Sequence, residues 1–136
     1  KYIWHGDCAA LILKRELILD LINTEEEYTG CFFLDGENFR GYLSIDELIA
    51  KSYNIDWGVG ITSQIIVEEN EEYLLNNWEL IKTEPYEENK NLYIKEGLNW
   101  LKKKYGFNER WSMMLYCKNA YDRFIKLNFD LKKYSI

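Results

Sequence analysis

Between Thr29 and Tyr53 the chain reads TGCFFLDGENFRGYLSIDELIAKSY, the pattern of a tight β-hairpin running straight into a helix. Asp35-Gly36 signals a primed turn, because glycine takes positive φ without steric cost. A two-residue loop and a four-residue loop from Asp35 to Asn38 keep the same side-chain parity. In either, Phe32 and Leu34 share a face with Phe39 and Leu43, while Cys31 and Phe33 share the other with Arg40 and Tyr42. The helix start reads as a capping box: Ser44 to cap the Glu47 amide, Glu47 to answer back, and Leu43 and Leu48 in staple positions.

The rest of the chain repeats this mixture. Lys1 to His5 alternates weakly, which predicts a strand ending at Gly6, and Asp7 can cap a helix from Cys8. Ala9 to Ile22 is almost continuously apolar. Glu16, Asp20 and Asn23 fall on one stripe of it, which predicts a centrally buried helix. The competing picture, two strands turning at Lys14-Arg15-Glu16, has no glycine or proline behind it. Ile61 to Val67 is rich in β-branched residues and predicts a strand. Asn70 can cap a helix from Glu71 to Thr83, closed by Pro85. A further helix starts at Asn89 or Asn91 and runs to Tyr105, with Gly106 as its C-terminal cap and Lys102, Lys103 and Lys104 in its last turn. Arg110 to Lys118 (RWSMMLYCK) reads as a strand, and Ala120 to Lys133 as a last amphipathic helix. The expected fold is α+β: one compact domain over residues 1–136, with a partly antiparallel sheet, a Thr29–Ser44 hairpin and about four to five helices.

Composition sets the classes of function. The 136 residues are 47% hydrophobic and 16% aromatic, enough for a core that needs no metal or disulfide. An odd number of cysteines (Cys8, Cys31 and Cys117), without a secretory segment, predicts reduced thiols and a cytoplasmic setting. No apolar run reaches the roughly 18 residues that a membrane span requires. The net charge of −6 is unevenly spread, with 8 Lys/Arg against 20 Asp/Glu in residues 1–99 and 9 against 3 in residues 100–136. Most of the chain should therefore repel nucleic acid, while the C-terminal part should attract it or an acidic partner.

Little in the chain spells out catalysis. The single histidine, His5, stands near Cys8 in His5-Gly6-Asp7-Cys8, and an imidazole can take a thiol proton. Residues three apart in sequence seldom form such a pair, so a strand-end histidine and a helix-start cysteine are the plainer reading. One histidine and three dispersed cysteines do not make a metal site, and Asp35-Gly36-Glu37-Asn38 is better explained as a turn than as a calcium loop. No glycine-rich phosphate cradle is present, and no cofactor is expected. Lys102, Lys103, Lys104 and Arg110, with Trp100, Tyr105 and Trp111, mix cations and rings as a nucleic-acid track does. Trp100 and Leu101, however, belong to a buried helix stripe, so nucleic acid is not the expected partner.

What remains is an acidic surface interleaved with aromatics. Glu25, Glu26, Glu27, Asp56, Trp57, Glu68, Glu69, Glu71, Glu72, Tyr73, Tyr86, Glu87 and Glu88 fall in predicted loops or helix starts. Rings circled by charge suit protein recognition, with Trp57, Tyr73 and Tyr86 as anchors and carboxylates standing in for phosphates. The expectation is a non-catalytic inhibitor of the immunity or anti-defence kind, which occludes a basic protein such as a toxin nuclease. The alternative is a small-molecule-binding regulatory domain with an apolar, aromatic pocket; a small enzyme using Cys8 and His5 ranks below both.

Overall fold

The structure, a computed structural model, describes residues 1–6, 11–24, 38, 42–62, 64, 65, 72 and 86–135. The helices whose bounds fall among the described residues are α1 (Arg15–Thr24), α2 (Ser44–Asn54), α3 (Tyr86–Tyr105) and α4 (Arg110–Leu127), followed by a 3₁₀ helix (Phe129–Tyr134). The described part is mostly helical and contains no strand, which overturns the expected α+β fold with its antiparallel sheet. Among the described residues, extended pairing is confined to two isolated bridges, Tyr2 with Gly60 and Tyr2 with Ser135.

The centre of the molecule is α2, where Ser44 and every residue from Asp46 to Tyr53 are buried. Its Ile49, Ala50 and Tyr53 pack against Met113, Cys117, Ala120, Tyr121 and Phe124 of α4, with Trp100 and Leu101 of α3 closing the core. The α4 residues recur at intervals of three and four, so one helical stripe meets α2. That periodicity corrects the strand expected over Arg110–Lys118. Ala50 and Ala120 have small side chains, which lets the two helices approach closely. Polar ties reinforce the seam: Asn54 Nδ2 donates to the Tyr116 hydroxyl at 2.9 Å, Arg123 Nη2 to the Asn54 carbonyl at 2.8 Å, and the Cys117 thiol to the Asp46 carbonyl at 3.2 Å.

A second apolar cluster joins Leu17 and Leu21 of α1 to Leu48 of α2, with Leu13, Ile55 and Trp57 against it. Helix α1 therefore lies beside the core, not at its centre as the apolar run Ala9–Ile22 suggested. Residues 11–14 carry no regular structure, and Leu11, Ile12, Leu19 and Ile22 are exposed.

The N-terminal segment, expected as a strand, is stitched down by single contacts. Ile3 N–H donates to the Val59 carbonyl at 3.1 Å and Tyr2 N–H to the Tyr134 carbonyl at 2.9 Å. The buried Tyr53 hydroxyl lies 2.5 Å from the Ile3 carbonyl and 2.7 Å from the Val59 carbonyl, sharing its proton between them. Ile61, Thr62, Gln64 and Ile65 form no strand, in contrast to the expectation for Ile61–Val67, whose other residues lie outside the described ones.

Most of the Thr29–Ser44 hairpin, the helix expected from Glu71 to Thr83 apart from Glu72, and Cys8 and Cys31 also lie outside the described residues. Of the hairpin, Asn38 is described and fully buried; its Oδ1 accepts from Tyr42 N–H at 3.1 Å while its Nδ2 donates to Tyr42 O at 2.9 Å. One amide side chain thus satisfies both backbone groups of Tyr42. The capping box is replaced: Leu43 occupies the N-cap with φ 58, and the Glu47 amide bonds the Leu43 carbonyl at 3.0 Å. At the far end of α3 the expected cap is present, with Gly106 at φ 72 and its N–H on the Lys102 carbonyl at 3.0 Å. That helix starts earlier than expected, at Tyr86.

Candidate functional site

The most concentrated charge sits inside the fold. Glu47, with its side chain only 3% exposed, points one carboxylate oxygen at three donors: Lys51 Nζ at 3.0 Å, Lys104 Nζ at 2.9 Å and the Tyr105 hydroxyl. Burial pushes this carboxyl up, but the Lys51 charge and the hydrogen bonds from Tyr105 and Lys104 outweigh it and hold the group below its ordinary value. Lys104 also lies over the Trp100 and Tyr105 rings. A carboxylate so engaged is an electrostatic pin between α2 and α3, and the lone pairs of that oxygen are committed. It is poorly placed to act as a general base.

Beside it, Asp46 Oδ1 lies 3.3 Å from His5 Nδ1, where the imidazole is half exposed and Asp46 is buried. The pair relates His5 to α2, while Cys8, its suggested catalytic partner, lies outside the described residues. The buried Cys117 thiol is pushed up to about 12 by burial and by the Asp46 and Glu47 charges, so it stays protonated at neutral pH and is no nucleophile. Among the described residues, no group of three or more His, Cys, Asp or Glu side chains is placed to hold a metal.

The outer side of α4 and the segment after it present a different chemistry. Trp111 is 63% exposed and Phe129 70%, and Leu115, Leu127 and Tyr134 are also more than half exposed. Cations lie over three of these rings: Arg110 at 5.1 Å from Trp111, Lys132 at 5.6 Å from Phe129 and Lys133 at 5.0 Å from Tyr134. Lys102 and Lys103 are exposed at the end of α3, whereas Lys104, grouped with them by sequence, is turned inward to Glu47. Trp100 is buried, as its helix stripe predicts.

Between the N-terminal segment, α1 and α2 lies a cavity of about 480 Å³. Its described lining is aliphatic, with Ile12, Leu17, Ile45, Leu48 and Val59, and includes His5. The pocket foreseen from the sequence was lined by tyrosine and tryptophan; this one has neither, nor phenylalanine, among its described lining residues.

The acidic residues singled out in the sequence divide. Glu25, Glu26, Glu27, Glu68, Glu69, Glu71 and Tyr73 lie outside the described residues, and Glu72 is helical and exposed. Tyr86, Glu87 and Glu88 form the first turn of α3. Asp56 is exposed in the turn after α2, with φ 63. Trp57 is half-buried against α1: its indole N–H donates to Asp20 Oδ2 at 2.8 Å, and Lys14 Nζ lies 5.8 Å from its ring. Its polar edge is engaged within the fold, which removes it as a free anchor.

Sequence reasoning named Arg110 and Trp111 as part of a nucleic-acid track but missed Leu115, four residues on from Trp111 and exposed like it. It also missed the Glu47 pin, of which only the Glu47–Lys51 spacing is local. Comparison with known proteins found no matching family model, no similar curated protein and no similar solved structure.

Proposed function

We propose that the protein is a non-catalytic binding protein that seats itself on another protein and covers it, in the manner of an immunity or anti-defence protein. The observation that carries this reading is the set of more than half-exposed Trp111, Leu115, Leu127, Phe129 and Tyr134, with Arg110, Lys132 and Lys133 over three of the rings. Large stiff side chains held in water are the usual anchors of an interface, and the charge around them selects the partner. Cations held beside exposed rings suit an acidic protein surface. The basic partner expected from the sequence would instead use carboxylates that, for the most part, lie outside the described residues.

The test is capture from a cell lysate on the immobilised chain, at low and high salt and with and without nuclease. It compares the wild type with a Trp111→Ala/Phe129→Ala variant and a Glu25→Lys/Glu26→Lys/Glu27→Lys variant. An acidic protein held at low salt, released at high salt, indifferent to nuclease and lost from the Ala variant is the expected result. Capture lost only from the Lys variant would return the reading to a basic partner. Capture abolished by nuclease would replace a protein partner with a nucleic acid.

A further inference from the structure

We propose that Tyr2 is a positioning residue for the C-terminal half of the exposed ring face. Docking of the first residues then decides whether Phe129 and Tyr134 are held out for a partner. The inference rests on the protein-binding reading above and names what controls that site. The two halves of the face are built differently. Trp111 and Leu115 stand on α4, whose opposite stripe of Met113, Cys117, Ala120, Tyr121 and Phe124 is buried, so the core itself fixes them. Phe129 and Tyr134 stand on the 3₁₀ helix, in which no residue is buried. Six residues are long for a helix of this type, whose hydrogen bonds are poorly aligned.

The 3₁₀ helix is held at three places. Before it, Asn128 N–H and Nδ2 both donate to the Phe124 carbonyl, at 2.9 and 3.0 Å. In its middle, Leu131 rests partly buried on the core. At its end the tie comes from the opposite end of the sequence: Tyr2 N–H donates to the Tyr134 carbonyl at 2.9 Å, and Tyr2 bridges Ser135.

Tyr2 is itself anchored from its other side. It bridges Gly60, beside which Ile61 N–H donates to the Lys1 carbonyl at 2.7 Å. Its ring lies 5.9 Å from that of the buried Phe124. Gly58 leaves room for this ring, since a Cβ there would stand 2.5 Å from it. One residue therefore ties the end of the 3₁₀ helix both to the loop after α2 and to the α4 core. A segment held in place before its partner arrives binds more tightly than one the partner must order. Linkage makes the coupling mutual: whatever displaces the first residues weakens the partner, and a bound partner holds them down.

Two measurements on the full chain test this: amide hydrogen exchange of the free protein, and titration with the acidic protein recovered by capture. Tyr2→Ala should speed exchange at the Leu131 and Ser135 amides about tenfold, with the Cys117 and Tyr121 amides of α4 unchanged. Gly58→Ala, which pushes the ring off its seat, should do the same. Tyr2→Phe, which keeps the ring, should match the wild type. In the titration, Tyr2→Ala and Phe129→Ala should each weaken binding about tenfold. The double variant should bind no more weakly than Tyr2→Ala alone, because the ring it removes is already out of place. Unchanged exchange in both Tyr2→Ala and Gly58→Ala would overturn the clamp, whatever is captured. Full additivity in the titration would overturn control of the face by Tyr2. Faster exchange with no acidic protein captured would support the clamp and overturn the reading on which its part in binding rests.

Discussion

Asp56 holds a backbone conformation that glycine normally occupies. Its φ is 63, in the left-handed region, and it follows α2 as the C′ residue of a Schellman motif. The Trp57 amide reaches back to the Ser52 carbonyl at 2.9 Å and the Asp56 amide to the Tyr53 carbonyl at 3.2 Å. A Cβ in this region costs on the order of 1 kcal/mol, and the Asp56 side chain is exposed. Asp56→Gly should therefore stabilise the protein by about 0.5–1 kcal/mol, read as a higher urea midpoint at unchanged slope. Leu43 shares the left-handed conformation at φ 58, but its side chain packs on the core, so glycine there would lose what the backbone gains. Neither position is legible in the sequence, because aspartate and leucine do not announce positive φ as glycine does at Gly106. The capping box failed for a related reason: Glu47 is drawn to Lys51 and Lys104, a preference set by burial and by residues 57 positions away.

At the scale of elements, the strand expected over Arg110–Lys118 shows where local pattern runs out. Nine residues with rings and no clear polar phase fit two periods, and only the continuation through Ala120, Tyr121 and Phe124 fixes the helical one. The apolar run before Ile22 misled in the opposite sense, since Leu19 and Ile22 are exposed on a helix at the side of the core and Ile12 is exposed ahead of its first turn. Helix α3 was readable because its end is written in local chemistry, a glycine after three lysines. Its middle holds a less visible constraint. Gly97 is buried in the helix, and a Cβ there would run into the Tyr42 ring and its Cβ. That ring also meets Tyr93 edge-on at 4.9 Å, while Asn38 holds the Tyr42 backbone. Alanine normally strengthens a helix by about 1 kcal/mol relative to glycine. Gly97→Ala should instead destabilise the protein by about 1–3 kcal/mol, because Tyr42 must be displaced, and thermal melts would show the loss. An unchanged or higher melting temperature would mean that Tyr42 does not rest on this helix.

For the molecule as a whole, the Glu47 pin makes stability depend on acid. The folded state keeps this carboxyl ionised to lower pH than the unfolded chain does, so the unfolded chain takes up its proton first. The contribution is complete above about 4.5, the carboxyl's ordinary value, and is lost as the pH falls through the lower folded one. Urea unfolding across that window should show stability falling, and Glu47→Gln should flatten that limb while costing about 3 kcal/mol at neutral pH. As for the candidate surfaces, charge asymmetry was plain in the sequence, but which lysines face water was not, since Lys104 looks like its neighbours until α2 is folded beneath it. The cavity was invisible for the same reason, being made where the first residues, α1 and the turn after α2 converge. The seam between α2 and α4 has a consequence for a chain emerging from a ribosome. Helix α2 is synthesised about half a chain before the α4 stripe that buries it, so its apolar side must wait, bare, through the making of α3. A nascent chain stalled before Arg110 would expose Ile49 and Tyr53 to chaperones, and α4, on leaving the tunnel, would end their exposure.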